Sequence, residues 1–401
     1  MFGLFFLRAY KQLPVHLKLG GIFFVCINRT MHKVLTERSV NFLESYINNS
    51  SPTGFEMKGQ ELWLDYISPF TDDNFQDNYN NTVAIINPEA EFKVVLEAHA
   101  DEISWMVNYI DPKGFIYVLP NGGADPMVAP GKHVHIHSDK GIIRGVFGWP
   151  AIHLRNDITN LYPDQFHLFV DAGFANSDEA LDKGVRVGNI ITYLDSFSIL
   201  NDRYFLGRAL DNRIGGLVIA EVALIIKEQK IKIRNALMCV NAVQEEVGLY
   251  GAKMIGERLR PDIAIVTDVT HDTNTPFIKM QRHGETVCGA GPVLAIAPAV
   301  HKGFLQLIKE TAQKAGIPYQ LVAVSRETGT DADAIALSSG GISSALISPP
   351  LRYMHTPVEI VHIDDVENSI LLIVETLKNL DPAKMNINRS IPFYTTSNKT
   401  V

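Results

Sequence analysis

The chain has 401 residues, 46% hydrophobic and 20% charged, enough for two domains with sizeable cores and unlike a disordered segment. Its formal net charge of -8 and the lack of a dense lysine or arginine tract argue against nucleic acid as a partner. Three unevenly spaced cysteines, Cys26, Cys239 and Cys288, without a C-x-x-C pair, offer neither a disulfide framework nor a thiolate zinc site and fit a reducing cytoplasm.

The apolar runs Phe2–Leu7 and Leu19–Ile27 are far shorter than the ~20 residues of a membrane span, and no small-residue cleavage site follows them. Residues 1–30 are therefore expected to be an extension outside the fold, and no membrane partner is expected. Met31 opens an amphipathic helical pattern with Val34, Leu35, Phe42, Leu43, Tyr46 and Ile47 broadly on one side, closed by the turn-rich run from Asn48 to Gly54. A second short helix, a strand near Thr82–Ile86 and a buried strand at Lys93–Leu96 follow. Between Gly114 and Ile199 the texture changes to short β-like runs separated by Gly, Pro and Asn, among them Val134–His137, Ile142–Phe147 and Ile190–Leu194. This stretch reads as an inserted all-β domain.

From Asp211 onward helix and strand alternate. Ile214, Leu217, Val218, Val222 and Ile225 keep helical spacing, Ala236–Val243 and Ile263–Val266 read as strands, and a helix near Phe304–Ala315 stops on Gly316 before Ile317 and Pro318. Ser344–Ile347 is another strand, and a last helix spans about Val366–Leu380. Long apolar strands between helices predict an α/β fold with a mostly parallel sheet covered on both faces.

Ligands of such sheets sit beyond the carboxyl ends of the strands. His99 and Asp101 follow Val94–Leu96 and share one side by the strand period, so the carboxylate can orient the imidazole. Asp211 opens a helix, where capping alone would account for it. Glu245 and Glu246 follow an apolar strand, where they would suit the positive end of a helix beginning near Val247. Asp268 ends Ile263–Thr267, and His355 follows a proline-rich loop, where it would be simply exposed. Each has a bland reading alone, but a dinuclear metal site explains them together. Two divalent cations need a bridging carboxylate, further carboxylate and imidazole ligands, and a free base beside their water.

Other features read more plainly. His133, His135 and His137 fit a half-exposed strand face better than a metal site. His153 is either an intersubunit contact or core. Asp331 and Asp333 read as helix caps, and Cys239 as core.

The segments His99–Ile103, Ala209–Gly215, Gln244–Gly248 with Gly251 and Ala252, Asp262–Ile265 with Asp268–Thr270, Gly329–Ala332 and Arg352–Glu359 together resemble the dinuclear metallo-aminopeptidases that form tetrahedral particles. This is a family that includes glutamyl aminopeptidases and proteins named cellulase M. The resemblance covers residues 33–381. It implies a zinc-peptidase-like catalytic domain over 31–103 and 204–385, an inserted β-barrel-like dimerisation domain over 104–203 entered at Gly122–Pro126, and a tail over 386–401. It implies that Asp211 bridges two divalent ions, that His99 and Asp268 complete one site, and that Glu246 and His355 complete the other. Asp101 would orient His99, and Glu245 would be the general base. Zinc is the expected metal, with cobalt and manganese as alternatives. Short peptides are the expected substrates, and the expected assembly is a homo-oligomer, a dimer at least, with a tetrahedral dodecamer as the larger form the resemblance implies. Departures from the family pattern fall at Ala98, Ala100, Ser104 and Trp105 and touch packing, not ligands. The rival readings are a glycoside hydrolase, which would use the Glu pair and leave His99, Asp268 and His355 idle, and a non-catalytic assembly protein on the same fold.

Overall fold

The computed structural model describes residues 34–155, 163–194 and 196–382. The expected extension over 1–30, the helix start at Met31, Cys26 and the tail over 386–401 lie outside those residues. The first helix described is Glu37–Asn48, shorter than its apolar pattern suggested. The Thr36 hydroxyl accepts from the Ser39 N–H and the Ser39 hydroxyl accepts from the Thr36 N–H, a reciprocal cap that fixes the start. Val34 and Leu35 stay outside the helix, their N–H groups held by the Glu367 carboxylate at 3.0 Å. Phe42, Leu43, Tyr46 and Ile47 are buried, as the pattern predicts.

Among the described residues eight strands form the central sheet, in the order Asp73–Gln76, Thr82–Ile86, Ala236–Ala242, Lys93–His99, Ile263–Thr267, Ser343–Ser348, Val293–Ile296 and Gln320–Ala323. The middle four strands run parallel, and antiparallel pairings occur toward both edges. Every residue of Ala236–Ala242 and Ile263–Thr267 is buried, as a sheet covered on both faces requires. The helix Leu210–Glu228 packs against Lys93–His99 and against the last helix, Ile363–Asn379. Lys302–Ala315 ends on Gly316 in the left-handed region, as its sequence predicts.

Two further assemblies bear on the site. Ser104–Ile110, Ile116–Asn121, Phe169–Asp171, Gly141–Phe147, His133–Ser138 and Ile190–Tyr193 close into a barrel, which makes the inserted β region a barrel with its own core around Trp105, Val134, Ile136 and Phe147. A five-stranded sheet in the order Ser198–Leu200, Tyr204–Gly207, Glu359–His362, Pro350–Arg352 and Thr270–His271 collects segments from far apart in the chain. Ser198–Leu200, within the span read as insert, pairs in this second sheet and not in the barrel.

Candidate metal centre

The parallel strands deliver their polar ends to one edge. His99 closes Lys93–His99 and is in register with Ala242, three residues before Glu245 on the neighbouring strand. On the other side Val266 is in register with Glu97, so Asp268 emerges beside His99. Asp211 arrives from the second sheet, four residues past Gly207, and His355 from the turn between Pro350–Arg352 and Glu359–His362. Two sheets thus supply one cluster.

Asp211 stands at its centre. Its Oδ1 lies 3.2 Å from His99 Nε2 and its Oδ2 lies 3.4 Å from His355 Nε2. His99 Nε2 also lies 3.7 Å from Asp268 and 3.9 Å from Glu245, and His355 Nε2 lies 3.3 Å from Glu246. The set His99, Asp211 and Asp268 could hold one ion, and the set Asp211, Glu246 and His355 another; His99 forms a third such set with Glu245 and Glu246. All seven residues singled out from the sequence are therefore together.

Their backbones correct three local expectations. Asp211 makes no side-chain cap, because its own φ and ψ and those of Asn212 are non-helical and Ala209 before them is left-handed. The helix after the glutamates is Tyr250–Leu259, not one starting near Val247. Gln244 and Leu249, both at positive φ, instead fold residues 244–249 into a turn on which Gly248 and Leu249 donate to the Glu245 carbonyl. Thr330, not Asp331, caps its helix; Asp331 is buried, and Asp333 accepts from the Gly329 N–H.

Each imidazole is oriented through its other nitrogen. His99 Nδ1 faces Asp101 Oδ1 at 3.4 Å, and His355 Nδ1 donates to the Gly123 carbonyl of the barrel at 3.0 Å. The second contact explains the glycine, since a Cβ on Gly123 would lie 2.6 Å from His355 Nδ1. Asp101 does more than the sequence suggested. It accepts the N–H groups of Glu245 at 3.0 Å and Glu246 at 3.2 Å and the Thr53 hydroxyl at 2.8 Å. Glu359, which no reading of the sequence singled out, accepts the N–H groups of Asp211 and His355.

Crowding buried carboxylates pulls their titrations apart. Burial pushes Glu245 up to about 10, against the His99 imidazole and with Asp268, Asp331 and Glu246 adding to the rise. Burial and Asp211 lift Glu246 to about 6, against His355. Burial also works to raise Asp211, but His355 and His99 hold it below the ordinary carboxylate range. Burial would lower His355, yet Asp211 and Glu246 reverse this and raise it to about 11.

The remaining candidates fall elsewhere. His133, His135 and His137 lie on the outer side of a barrel strand whose Val134 and Ile136 face the core, and His137 pairs with Thr192. His153 is exposed, not core. Cys239 is buried in its strand, and burial pushes its thiol up to about 12. Trp105 is fully buried in the barrel, its indole N–H on the Tyr193 hydroxyl, so this departure from the family pattern lies in the barrel core. Ala98 is a packing position beneath the helix Leu210–Glu228, where a Cβ on Gly215 would meet it at 2.8 Å.

The sequence model of the family described as M42 glutamyl aminopeptidase matches residues 80–372. The chain is 32% identical over 346 residues to lysyl aminopeptidase of Pyrococcus furiosus, spanning 85% of this chain and 97% of that protein. Its fold is similar to a TET aminopeptidase from a marine sediment archaeon of the Thaumarchaeota, at a TM-score of 0.83 and 29% identity over 86% of this chain and 97% of that one. It is also similar to the Pyrococcus horikoshii TET1 peptidase, described as assembling into a tetrahedron or a large octahedral shell, at a TM-score of 0.75 and 26% identity over 85% of this chain and all of that one. With a match across most of its length and an aminopeptidase relative above 30% identity, the chain belongs to the M42 glutamyl aminopeptidase family.

Proposed function

We propose that the protein is a two-metal aminopeptidase that releases N-terminal residues from short peptides. The observation that carries this is the position of Asp211, with one carboxylate oxygen toward each imidazole and a place in both three-residue sets. The donors fit divalent cations. Asp211, Glu245, Glu246 and Asp268 gather carboxylates that would repel one another, and Glu246 Oε1 is buried without a hydrogen-bond partner among the described residues. His99, Asp211 and Asp268 would hold one ion, and Asp211, Glu246 and His355 the other. Bound there, the ions would supply Lewis acidity toward a carbonyl and would acidify a water. Zinc suits the His and carboxylate donors, as do cobalt and manganese.

The chain's own residues do the rest. Glu245 is the general base, taking the water's proton and returning it to the leaving amine, and cations beside it favour its ionised form over the raised value of the metal-free site. Asp101 fixes its backbone and that of Glu246, so base and ligand share one anchor.

The test is chelation. Activity on aminoacyl substrates should vanish with a chelator, return with zinc or cobalt, and be absent on N-blocked analogues. Undiminished hydrolysis of these substrates in chelator would sink this reading, and chelator-resistant cleavage of a glycoside in their place would favour a glycosidase, which needs only a carboxylate pair. The assemblies described for the P. horikoshii relative support a homo-oligomer here, which light scattering on the purified chain would check. Two buried free thiols, Cys239 and Cys288, support a reducing compartment such as the cytoplasm.

A further inference from the structure

The two halves of the centre have matching anchors, only one of which the mechanism above uses. Asp101 ties His99 to the Glu245–Glu246 turn. On the opposite half, Glu359 Oε1 accepts the His355 N–H at 2.8 Å and its Oε2 accepts the Asp211 N–H at 3.0 Å. Glu359 is 2% exposed and lies opposite Gly207 in the antiparallel pair of Tyr204–Gly207 and Glu359–His362. Its strand therefore runs beside the segment that leads to Asp211. Both backbones it holds lie in irregular stretches. His355 has a φ of +61°, and Asp211 follows a left-handed Ala209 and is itself non-helical. No regular ladder fixes either one, so a side chain must.

We infer that Glu359 is a positioning residue that locks Asp211 to His355 and thereby sets the affinity of the ion on the His355 side. This rests on the two-metal reading. Binding both N–H groups takes two acceptor oxygens, and a carboxylate has them. Glutamine has one oxygen and an amino group that would face an N–H, so Glu359→Gln must lose one of the two bonds. The His99 side keeps Asp101 and Asp268 and is affected less.

The test is a calorimetric titration of metal-free wild type and Glu359→Gln with Zn²⁺, with bound metal counted independently by elemental analysis. Wild type should bind two ions. The variant should bind the first nearly as before and the second about 10- to 100-fold more weakly, the range typical of outer hydrogen-bond partners of metal ligands. Excess metal should restore much of its turnover. Two equally tight ions in the variant would overturn the inference, and wild type that binds no metal would instead overturn the two-metal reading. If the variant does not fold, Glu359→Asp, which keeps both carboxyl oxygens but is one methylene shorter, takes its place. Failure of both metal-free variants to fold would assign Glu359 to the fold and likewise overturn the inference.

Discussion

The two imidazoles of the centre are built differently. His99 is the last residue of a buried central strand and is 2% exposed, with Asp101 behind it on the same segment. His355 sits in a turn at positive φ with 31% of its side chain exposed, and leans on a carbonyl from the inserted barrel. One half of the centre is thus part of the sheet core. The other is assembled from loops that meet only when two sheets and a barrel are in place, so the halves should respond differently to perturbation.

The largest effect should come from a change that spares both halves and removes the proposed base between them. Glu245→Gln should lower turnover by about 10²- to 10⁴-fold, the usual worth of a general base, with two ions still bound by elemental analysis. Undiminished turnover would mean that another group moves the proton. Asp101→Asn strikes the core half. It puts an amino group against acceptor positions used by the N–H groups of Glu245 and Glu246, and kcat should fall about 100-fold, at the upper end for outer partners of a metal site. Gly123→Ala strikes the loop half through its clash with His355 and should lower kcat about 10-fold. Its thermal midpoint should change little, since Gly123 lies in a barrel loop outside the central sheet. Equal losses in these two variants would erase the distinction between the halves.

A subtler signature is proton release. The metal-free His355 imidazole, raised to about 11, is protonated at neutral pH, whereas a ligand must be neutral. Metal binding at pH 7 should therefore expel a proton from His355 and a further one from Glu245, which burial raises to about 10, and affinity should weaken as pH falls. Calorimetry in buffers of different ionisation enthalpy checks this, and buffer-independent heats would contradict it. The smallest effect belongs to His135→Ala on the outer barrel face, where stability should stay within about 0.5 kcal/mol and turnover should not move.

What could be read ahead of the structure follows from where each residue stands in the chain. His99 ends an apolar strand and Glu245 and Asp268 closely follow two others, so a rule about sheet edges is enough to suspect them. Asp211 and His355 sit in irregular backbone, and their place came from the resemblance and not from any period. Residues 244–249 read as the start of a helix because the left-handed conformations of Gln244 and Leu249 leave no mark in residue type. Glu359 went unnoticed because its task depends on pairing with a segment whose target lies 148 residues away. The one local clue was a carboxylate beside the apolar run Ile360–Val361, a poor place for a charge without partners.

The contact between Gly123 and His355 has a consequence for protein engineering. The barrel is an insert, and an insert invites exchange for another module. Its loop at residues 121–124, however, reaches back to the candidate centre: Asn121 donates to the Thr53 carbonyl, a Cβ on Gly122 would lie 3.1 Å from Glu246, and Gly123 receives His355. A graft that keeps those residues and replaces the strands beyond them would leave the centre its footing. A cut at the outline of the barrel would carry part of the candidate centre's support away with the discarded piece.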